Sequence, residues 1–391
     1  MTTKYLVIIL GGMGILASGL STSQAQQNRP EFGPGLYPGV ALSIFSDDNV
    51  LRNDRNKQSD SGVVIAPTLT HISLFGKHTL ELHYFGAFAQ YLDLSKENYN
   101  DNNVNAALNL DLSPQINFTV DGKYIWSHDA RGASGTSLVQ SKSPDRWKSR
   151  RLSGEFLYGR RTNRGQLGIS LATQSREYTN NQQETRDRDR TTVKATFYYN
   201  FSVKTAALFE IDRADINYTR PSPVNLDSTE MLYALGMRWE ATRQTTGKIR
   251  AGYVRKDLDD KSLDDFSGIY IAGNVVWEPR AMDRISITLS RSTHESNQIT
   301  ASYFVRSQFA TTWEHQLMQL IAFGIDASVE TDDYSDDRND NLHHFGTFIS
   351  YDLREWLDLD LRYTFSSRDS DLSGQRYDDN LLLFSLNMAA F

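Results

Sequence analysis

The chain has 391 residues and no cysteine, and its 41 lysines and arginines stand against 48 aspartates and glutamates, a formal net charge of −7. The acidic balance argues against a nucleic-acid partner. The missing cysteine excludes disulfides, thiolate metal sites and the lipid-bearing cysteine of a lipoprotein. A mean hydropathy of −0.50 argues against a helical membrane protein, but not against a wide barrel with a polar inner face.

The N-terminus has the pattern of an export signal. Met1 to Lys4 is a short cationic start, Tyr5 to Leu20 is apolar, and Ser23-Gln24-Ala25 supplies the small residues of a cleavage site. We therefore expect a signal peptide over residues 1–25. A short periplasmic lead-in over 26–36 and one β-barrel domain over 37–391 follow. The alternative, an N-terminal membrane anchor, is disfavoured because the apolar run is only marginally long enough for a span.

Period-two alternation of apolar and polar residues dominates the rest of the chain, as in Leu357 to Phe365, and helical spacing is nowhere sustained. Strands are predicted to begin near Tyr37, Ser61, Lys77, Asn103, Ile116, Trp147, Gln166, Thr191, Ala206, Thr229, Gly247, Ser267, Arg284, Tyr303, Leu320, His344, Leu357 and Asn380. The pattern predicts an all-β fold, a transmembrane antiparallel outer-membrane β-barrel of about 18 strands.

The predicted connections alternate in length. Tight turns are expected at Gly76-Lys77, Ser113-Pro114, Thr162 to Gly165, Ser202 to Lys204, Thr242 to Gly247, Pro279 to Asp283, His315 to Met318 and Arg354-Glu355. Long polar segments are expected at Asp47 to Asp60, Asp129 to Asp145, Glu177 to Arg190, Asp215 to Asp227, Asp257 to Asp265 and Glu330 to Asp340. Short periplasmic turns and long extracellular loops produce this rhythm in bacterial barrels, whereas a soluble β-sandwich, the alternative, requires neither the rhythm nor an export signal.

Aromatic residues mark the predicted strand ends. Trp239, Trp277, Trp313 and Trp356 lie beside short turns and Trp126 and Trp147 beside long loops. This predicts two interfacial belts, with ordinary core packing at strand ends as the alternative. The last residue is Phe391. A terminal aromatic is what the outer-membrane assembly machinery reads. Phe391 does not share the parity of Leu382 to Met388, so we expect either a bulge near Ala389-Ala390 or an aromatic that packs inward.

No catalytic or cofactor motif is found, and we expect neither enzyme activity, a cofactor nor a metal. The adjacent His343 and His344 point to opposite faces of a strand and cannot form a zinc site. Ser292, His294 and Glu295 are expected to be neighbours only in a loop. The acid-rich segments Asp332 to Asp337 and Asp257 to Asp265 lack the glycine and glutamate of an EF-hand loop and are expected to be solvated external loops, with divalent cations bridging them to lipopolysaccharide as the alternative.

Two basic groups flank the sixth predicted strand. Lipopolysaccharide phosphates are the expected partners of the first group, Arg146, Lys148, Arg150 and Arg151. Snorkelling at the inner-leaflet boundary is expected of the second, Arg160, Arg161 and Arg164.

If the apolar positions face lipid, the opposite positions line a lumen. The candidate lining residues are Glu81, His83, Asn109, Asp111, Asp121, Lys123, Arg151, Glu155, Lys194, Asn274, Arg306, Gln308, Asp326, Asp358, Asp360 and Arg362. Both signs of charge are present, which indicates no sharp ion preference. The inward aromatic residues Phe85, Tyr91, Tyr198, Tyr270 and Phe304 are expected either to stack on sugar rings or to pack against an inward loop.

The first predicted hairpin carries a specific motif. Gly39 to Arg52 reads GVALSIFSDDNVLR, and Ser59-Asp60 leads into Val63 to Pro67. This resembles the opening of the second putative β-barrel porin family, in which an Asp-Asn-hydrophobic step and a short polar loop precede a Ser-Asp and a strand containing proline.

The resemblance implies export of an exopolysaccharide or capsular polysaccharide through the outer membrane, with a periplasmic polysaccharide export protein as partner. It implies no catalytic residues. Two alternatives remain, a general diffusion porin for small hydrophilic solutes and a structural or adhesive surface barrel. An inward, constricting loop together with trimerisation would favour the diffusion porin.

Overall fold

The computed structural model of the chain describes residues 33–135, 142–220, 224–240, 244–296 and 301–389. The strands are β1 Gly35–Asp47, β2 Asp60–Phe75, β3 His78–Tyr91, β4 Tyr99–Ser113, β5 Ile116–His128, β6 Arg146–Tyr158, β7 Gly165–Tyr178, β8 Arg188–Ser202, β9 Thr205–Tyr218, β10 Ser228–Trp239, β11 Thr245–Leu258, β12 Phe266–Arg280, β13 Asp283–Glu295, β14 Tyr303–Met318, β15 Ile321–Tyr334, β16 Asn339–Arg354, β17 Leu357–Ser370 and β18 Tyr377–Ala389. Two short 3-10 turns, Ser95–Glu97 and Glu184–Arg186, lie in connecting loops. Within these ranges no helix is both long and apolar enough to cross a bilayer.

The strands form one closed antiparallel sheet. Each strand pairs with its neighbours in sequence, and β1 also pairs with β18, from Gly39 opposite Ala389 to Asp47 opposite Leu381. Closure leaves no open edge strand, so backbone donors and acceptors of the wall are satisfied within the sheet, except at the external ends of β12 and β13, which do not pair with each other. The structure confirms an 18-stranded barrel.

The predicted strand starts agree with the observed ones, the largest displacement being His344 for a strand that begins at Asn339. The first strand begins at Gly35, two residues before the predicted start at Tyr37. The predicted signal peptide, the expected bulge at Ala389-Ala390 and Phe391 lie wholly or partly outside the described residues.

The connections alternate as predicted, with one correction. Short turns occupy residues 76–77, 114–115, 159–164, 203–204, 240–244, 281–282, 319–320 and 355–356. Long connections occupy 48–59, 92–98, 129–145, 179–187, 219–227, 259–265 and 296–302, and shorter ones at the same end occupy 335–338 and 371–376. The predicted loop Glu330 to Asp340 is instead mostly strand, and only 335–338 form the connection. Glu330, Asp332 and Asp340 lie on the inner wall, where arginines pair with their charges.

Cross-strand pairing sorts every strand into an outer and an inner face. The outer face is apolar and open to its surroundings: Leu171 and Leu235 are 57% and 67% exposed. A continuous apolar surface of this kind around a closed ring is what a membrane-spanning barrel presents to lipid. Apolar clusters on the inner wall are small, as at Phe45, Val64 and Leu381.

The tryptophans do not all lie in the expected belts. Trp277, Trp313 and Trp356 are exposed beside short turns, and Trp126 lies on the outer face of β5, edge-on to Tyr124. Trp147 is different, because its position in β6 pairs it with inward-facing Ser127 and Tyr178, and only 4% of it is exposed. It belongs to the lumen and not to a membrane belt.

Candidate functional site: the barrel lumen

The sequence-predicted lumen residues share one face of the wall. Register places Glu81, His83, Asn109, Asp111, Asp121, Lys123, Arg151, Glu155, Lys194, Asn274, Arg306, Gln308, Asp326, Asp358, Asp360 and Arg362 opposite the apolar outer face. Several of them are joined into pairs: Asp326 accepts from Arg362 and lies 2.8 Å from His344 Nε2, and Arg306 Nε lies 2.9 Å from Asp332 Oδ1. The inner wall is therefore a dense polar network.

The loop that follows β5 turns into the lumen and reaches the opposite wall. Arg368 Nη2 on β17 donates to the carbonyl oxygen of Gly132 at 2.7 Å, and Gly135 N–H donates to the hydroxyl of Tyr334 on β15 at 3.0 Å. Counted around the 18-stranded ring, β15 and β17 lie far across the barrel from β5. Residues 129–135, hereafter the inner segment, therefore cross the lumen.

The root of the inner segment is fixed by charged and aromatic side chains. The Asp129 carboxylate accepts from Trp147 Nε1 at 2.9 Å and from Tyr178 and Arg186, both at 3.3 Å. Arg131 binds both carboxylate oxygens of Glu97, at 2.9 and 2.7 Å. Paired, buried charges hold a loop in position, because removing one charge leaves its partner buried and unpaired. The segment is anchored at its root as well as at its far contacts.

The external ends of β13 and β14 also lean inward. Pairing between β12 and β13 stops at Ile271 opposite Arg291, although both strands continue. Beyond that point, Thr293 donates to Glu230 on β10, and Glu295 lies 2.6 Å from Lys256 Nζ and accepts from Tyr218 at 3.0 Å. The outer face of this hairpin thus packs on the inner wall of β9 to β11.

The two inward structures meet at Phe304. Its ring is 3% exposed, stacks 5.2 Å from His294 and lies 5.0 Å from Tyr334. A Cβ at Gly135 would lie 2.8 Å from this ring, and Gly135 has a φ of +70°. Phe304 is thus an aromatic that packs against an inward loop, one of the two roles expected for it. Together the hairpin and the inner segment narrow the external half of the lumen.

The prediction that Ser292, His294 and Glu295 lie in a loop is wrong, because all three belong to β13. Ser292 Oγ and His294 Nε2 are 3.1 Å apart, while Glu295 projects to the other face and pairs with Lys256. These three side chains therefore form no catalytic triad.

The prediction of a solvated loop for Asp332 to Asp337 holds only for Asp336 and Asp337, which are exposed in the turn between β15 and β16. Asp332 and Asp340 are fully buried, and each is bonded to an arginine, Arg306 and Arg338 respectively. Asp47, Asp48 and Asp379 bring carboxylate oxygens within 4.8 Å of one another. Arg52 binds both Asp47 and Asp379, so an arginine offsets part of the charge of that cluster.

Charge is distributed unevenly around the inner wall. From β5 to β11 the inward cations are Lys123, Arg151, Arg176, Arg188, Arg190, Lys194, Arg238, Lys248, Arg250 and Lys256, against Asp121, Glu155, Glu210, Asp212 and Glu230. Around the rest of the ring the inward acids are Asp47, Asp60, Glu81, Asp101, Asp111, Glu278, Glu314, Asp326, Glu330, Asp332, Asp340, Asp352, Asp358, Asp360 and Asp379, against Arg284, Arg306, Arg362 and Arg368. One half of the lumen is cationic and the other anionic.

Like charges face each other directly at three places in the cationic half. Lys123 pairs with Arg151 across β5 and β6, Arg176 with Arg188 across β7 and β8, and Arg238 with Lys248 across β10 and β11. Within the described ranges, neither Lys123 nor Arg151 forms an ion pair. Directly opposed like charges destabilise a sheet, so these pairs are functional candidates, because local conflicts of this kind concentrate at functional sites.

The fold and the lumen define the class of protein: a transmembrane β-barrel channel of the bacterial outer membrane. Sequence comparison agrees, since the family model described as putative beta-barrel porin 2 matches residues 35–390. The chain belongs to that family. No curated protein matches it.

Solved structures with a similar fold include the crystal structure of Pseudomonas aeruginosa OpdK with vanillate, at a TM-score of 0.51 and 10% identity over 91% of this chain and 99% of that chain. A second structure of the same protein, titled OccK1 (OpdK), has the same TM-score, identity and coverage. A BenF-like porin from Pseudomonas fluorescens aligns at 0.49 and 11% identity, with coverage of 91% and 99%. The likeness to OpdK concerns the fold alone.

Proposed function

We propose that the protein is a passive diffusion channel for small hydrophilic solutes. The observation that carries the proposal is the inner segment, which crosses the lumen and is bonded to β15 and β17 on the far side. A barrel of 16 to 18 strands without such a segment leaves a wide aqueous channel. With the inner segment in place, the remaining width of the lumen suits small molecules.

Export of a polysaccharide, the function implied by the family resemblance, gains no support from the comparisons or from this geometry. A hydrated polymer would have to pass both the inner segment and the inward hairpin of β13 and β14. The hairpin is held by the ion pair of fully buried Lys256 with Glu295, and breaking a buried pair costs about 3–5 kcal/mol. The contacts therefore favour a fixed, narrow lumen.

The two charged halves fit a path for polar and charged solutes. Lumens lined by both signs impose no exclusive ion preference but orient a charged solute as it passes. Arg151 and Glu155, both exposed on the inner face of β6, are available to solutes. Lys123, next to Arg151, adds a second cation at this point of the wall.

Swelling of proteoliposomes tests the proposal. Purified protein in liposomes should admit glycine and monosaccharides rapidly, oligosaccharides progressively more slowly, and dextran not at all. Empty liposomes are the control. Entry of dextran would favour polymer transport, and failure of every solute to enter would favour a structural or adhesive barrel.

A further inference from the structure

The basic run at the start of β6 is divided by the strand between two surroundings. Arg146, Lys148 and Arg150 lie on the outer face, while Arg151 pairs with Lys123 and faces the lumen. Successive side chains in a strand point to opposite sides, so the three outer cations form a row along one strand. We call Arg146, Lys148 and Arg150 the β6 strip.

The β6 strip lies at the level of the membrane interface. Its residues are paired with Tyr124 and Trp126 on β5, Arg150 opposite Tyr124 and Lys148 opposite Trp126. The two aromatic rings are 4.1 Å apart, and the guanidinium of Arg150 lies 5.7 Å from the Tyr124 ring. Tyrosine and tryptophan on a lipid-facing wall mark the boundary between acyl chains and headgroups. The strip is at the long-loop end, and hence in the outer leaflet.

Charge in the β6 strip is poorly compensated by the protein itself. The outward acid beside the strip is Glu177 on β7, which lies opposite Lys148 in register and 3.8 Å from Arg150 Nη2. Among the described residues, no acid lies within ion-pair distance of Arg146 or Lys148. Other strands supply an internal comparison. The outward Arg213 on β9 and Arg255 on β11 each bind the aspartate two residues further along the same strand, at 2.8 and 2.6 Å.

We propose that the β6 strip binds the phosphate groups of lipid A, the phosphorylated glycolipid of the outer leaflet. Three cations spaced along one strand, two of them arginines, offer forked donors that match phosphate oxygens. Cationic clusters beside a membrane are attracted to anionic lipid headgroups. Tyr124 and Trp126, next to the strip, supply an apolar surface for the acyl chains below the phosphates. The site lies on the outer wall and is independent of what passes through the lumen.

Lipid A binding to the full-length barrel in nanodiscs of neutral phospholipid tests the proposal. The variant Arg146→Gln/Lys148→Gln/Arg150→Gln should bind bisphosphorylated lipid A roughly tenfold more weakly, because three exposed charge contacts are lost. The matched control, Arg213→Gln/Arg255→Gln, removes two outward arginines from the same end of the barrel. It should bind like the unchanged protein, and an equal loss in both variants would overturn the proposal.

Measurements on the unchanged protein keep the test decisive if the triple variant does not fold, as judged by heat-modifiable migration in electrophoresis. Lipid A without its phosphates should bind at least tenfold more weakly, and phosphatidylglycerol should compete poorly. Inorganic phosphate should compete only at concentrations far above those of lipid A. Equal binding of dephosphorylated lipid A, or of phosphatidylglycerol, would overturn the assignment.

Discussion

Arg368 on β17 donates from Nη2 to the carbonyl oxygen of Gly132, 2.7 Å away, and so joins the far wall of the barrel to the loop that leaves β5. The side chain of Arg368 is almost fully buried and its Nε lies 3.7 Å from Asp340. A single guanidinium therefore connects the wall to the segment that narrows the lumen.

Replacing Arg368 should loosen the inner segment. Arg368→Gln removes a charge-assisted hydrogen bond worth about 1.5–3 kcal/mol. In planar bilayers we expect larger or noisier single-channel currents. Arg354→Gln, at the short-turn end where the arginine is exposed, is the control and should leave the current steps unchanged. Identical currents in all three proteins would argue against an attached segment.

The opposed cations Lys123 and Arg151 should influence both ion selectivity and stability. Lys123→Gln/Arg151→Gln lowers the positive potential of the cationic half, so the reversal potential in a salt gradient should shift toward cation preference. Lys123→Gln alone should also raise the free energy of unfolding by about 0.2–1 kcal/mol, because a like-charged cross-strand pair is relieved. Arg160→Gln, which alters an exposed arginine in a short turn, is the control for both measurements. A shift toward anion preference would contradict the placement of Lys123 and Arg151 in a cationic half of the lumen.

Lys256 and Glu295 should couple the inward hairpin to the wall. Lys256→Met leaves the Glu295 carboxylate buried with only its Tyr218 hydrogen bond, and we expect a loss of about 3–5 kcal/mol in unfolding free energy. Lys256→Met/Glu295→Leu should recover most of that loss because no charge remains unpaired. Urea unfolding in lipid vesicles measures both variants. A double variant as unstable as the single one would show that the pair is not the cause.

Gly135 and Gly76 provide a matched pair for the contact with Phe304. Both have positive φ, +70° and +64°, but a Cβ at Gly76 meets nothing within 4 Å. Alanine at either position should cost about 1–2 kcal/mol for the left-handed backbone. Only Gly135→Ala should also displace the inner segment, which faster proteolysis between β5 and β6 would report. Equal proteolysis of both variants would contradict the Phe304 contact.

Much of the fold could be predicted because an alternating pattern specifies a wall with two different faces. The same alternation places Lys123 and Arg151 in the lumen and Arg146 on the lipid side. The prediction for Trp147 is wrong because parity within the strand, and not the nearby loop, decides which face a side chain lies on. The prediction for Glu330 to Asp340 is largely wrong because charge does not indicate solvent inside a barrel, where carboxylates such as Asp332 are buried against arginines.

The inward course of the inner segment could not be predicted. Its sequence, from Asp129 to Gly135, is as polar as the other loops, and its contacts with Tyr334 and Arg368 join residues about two hundred positions apart in the chain. Nothing local specifies such contacts. The inward course of the external ends of β13 and β14 could not be predicted for the same reason, since it depends on the contact of Glu295 with Lys256 on β11.

The most direct test of the account is the single-channel conductance of the barrel with and without its inner segment. Asp129 N–H donates to the carbonyl oxygen of Asp145 at 2.7 Å, so residues 130–144 can be replaced by an Asn-Gly turn that joins β5 to β6. A channel narrowed by this segment should show small current steps that grow severalfold in the shortened protein, with correct folding checked by heat-modifiable migration. Equal current steps in the two proteins, or no steps in either, would contradict a diffusion channel narrowed by the inner segment.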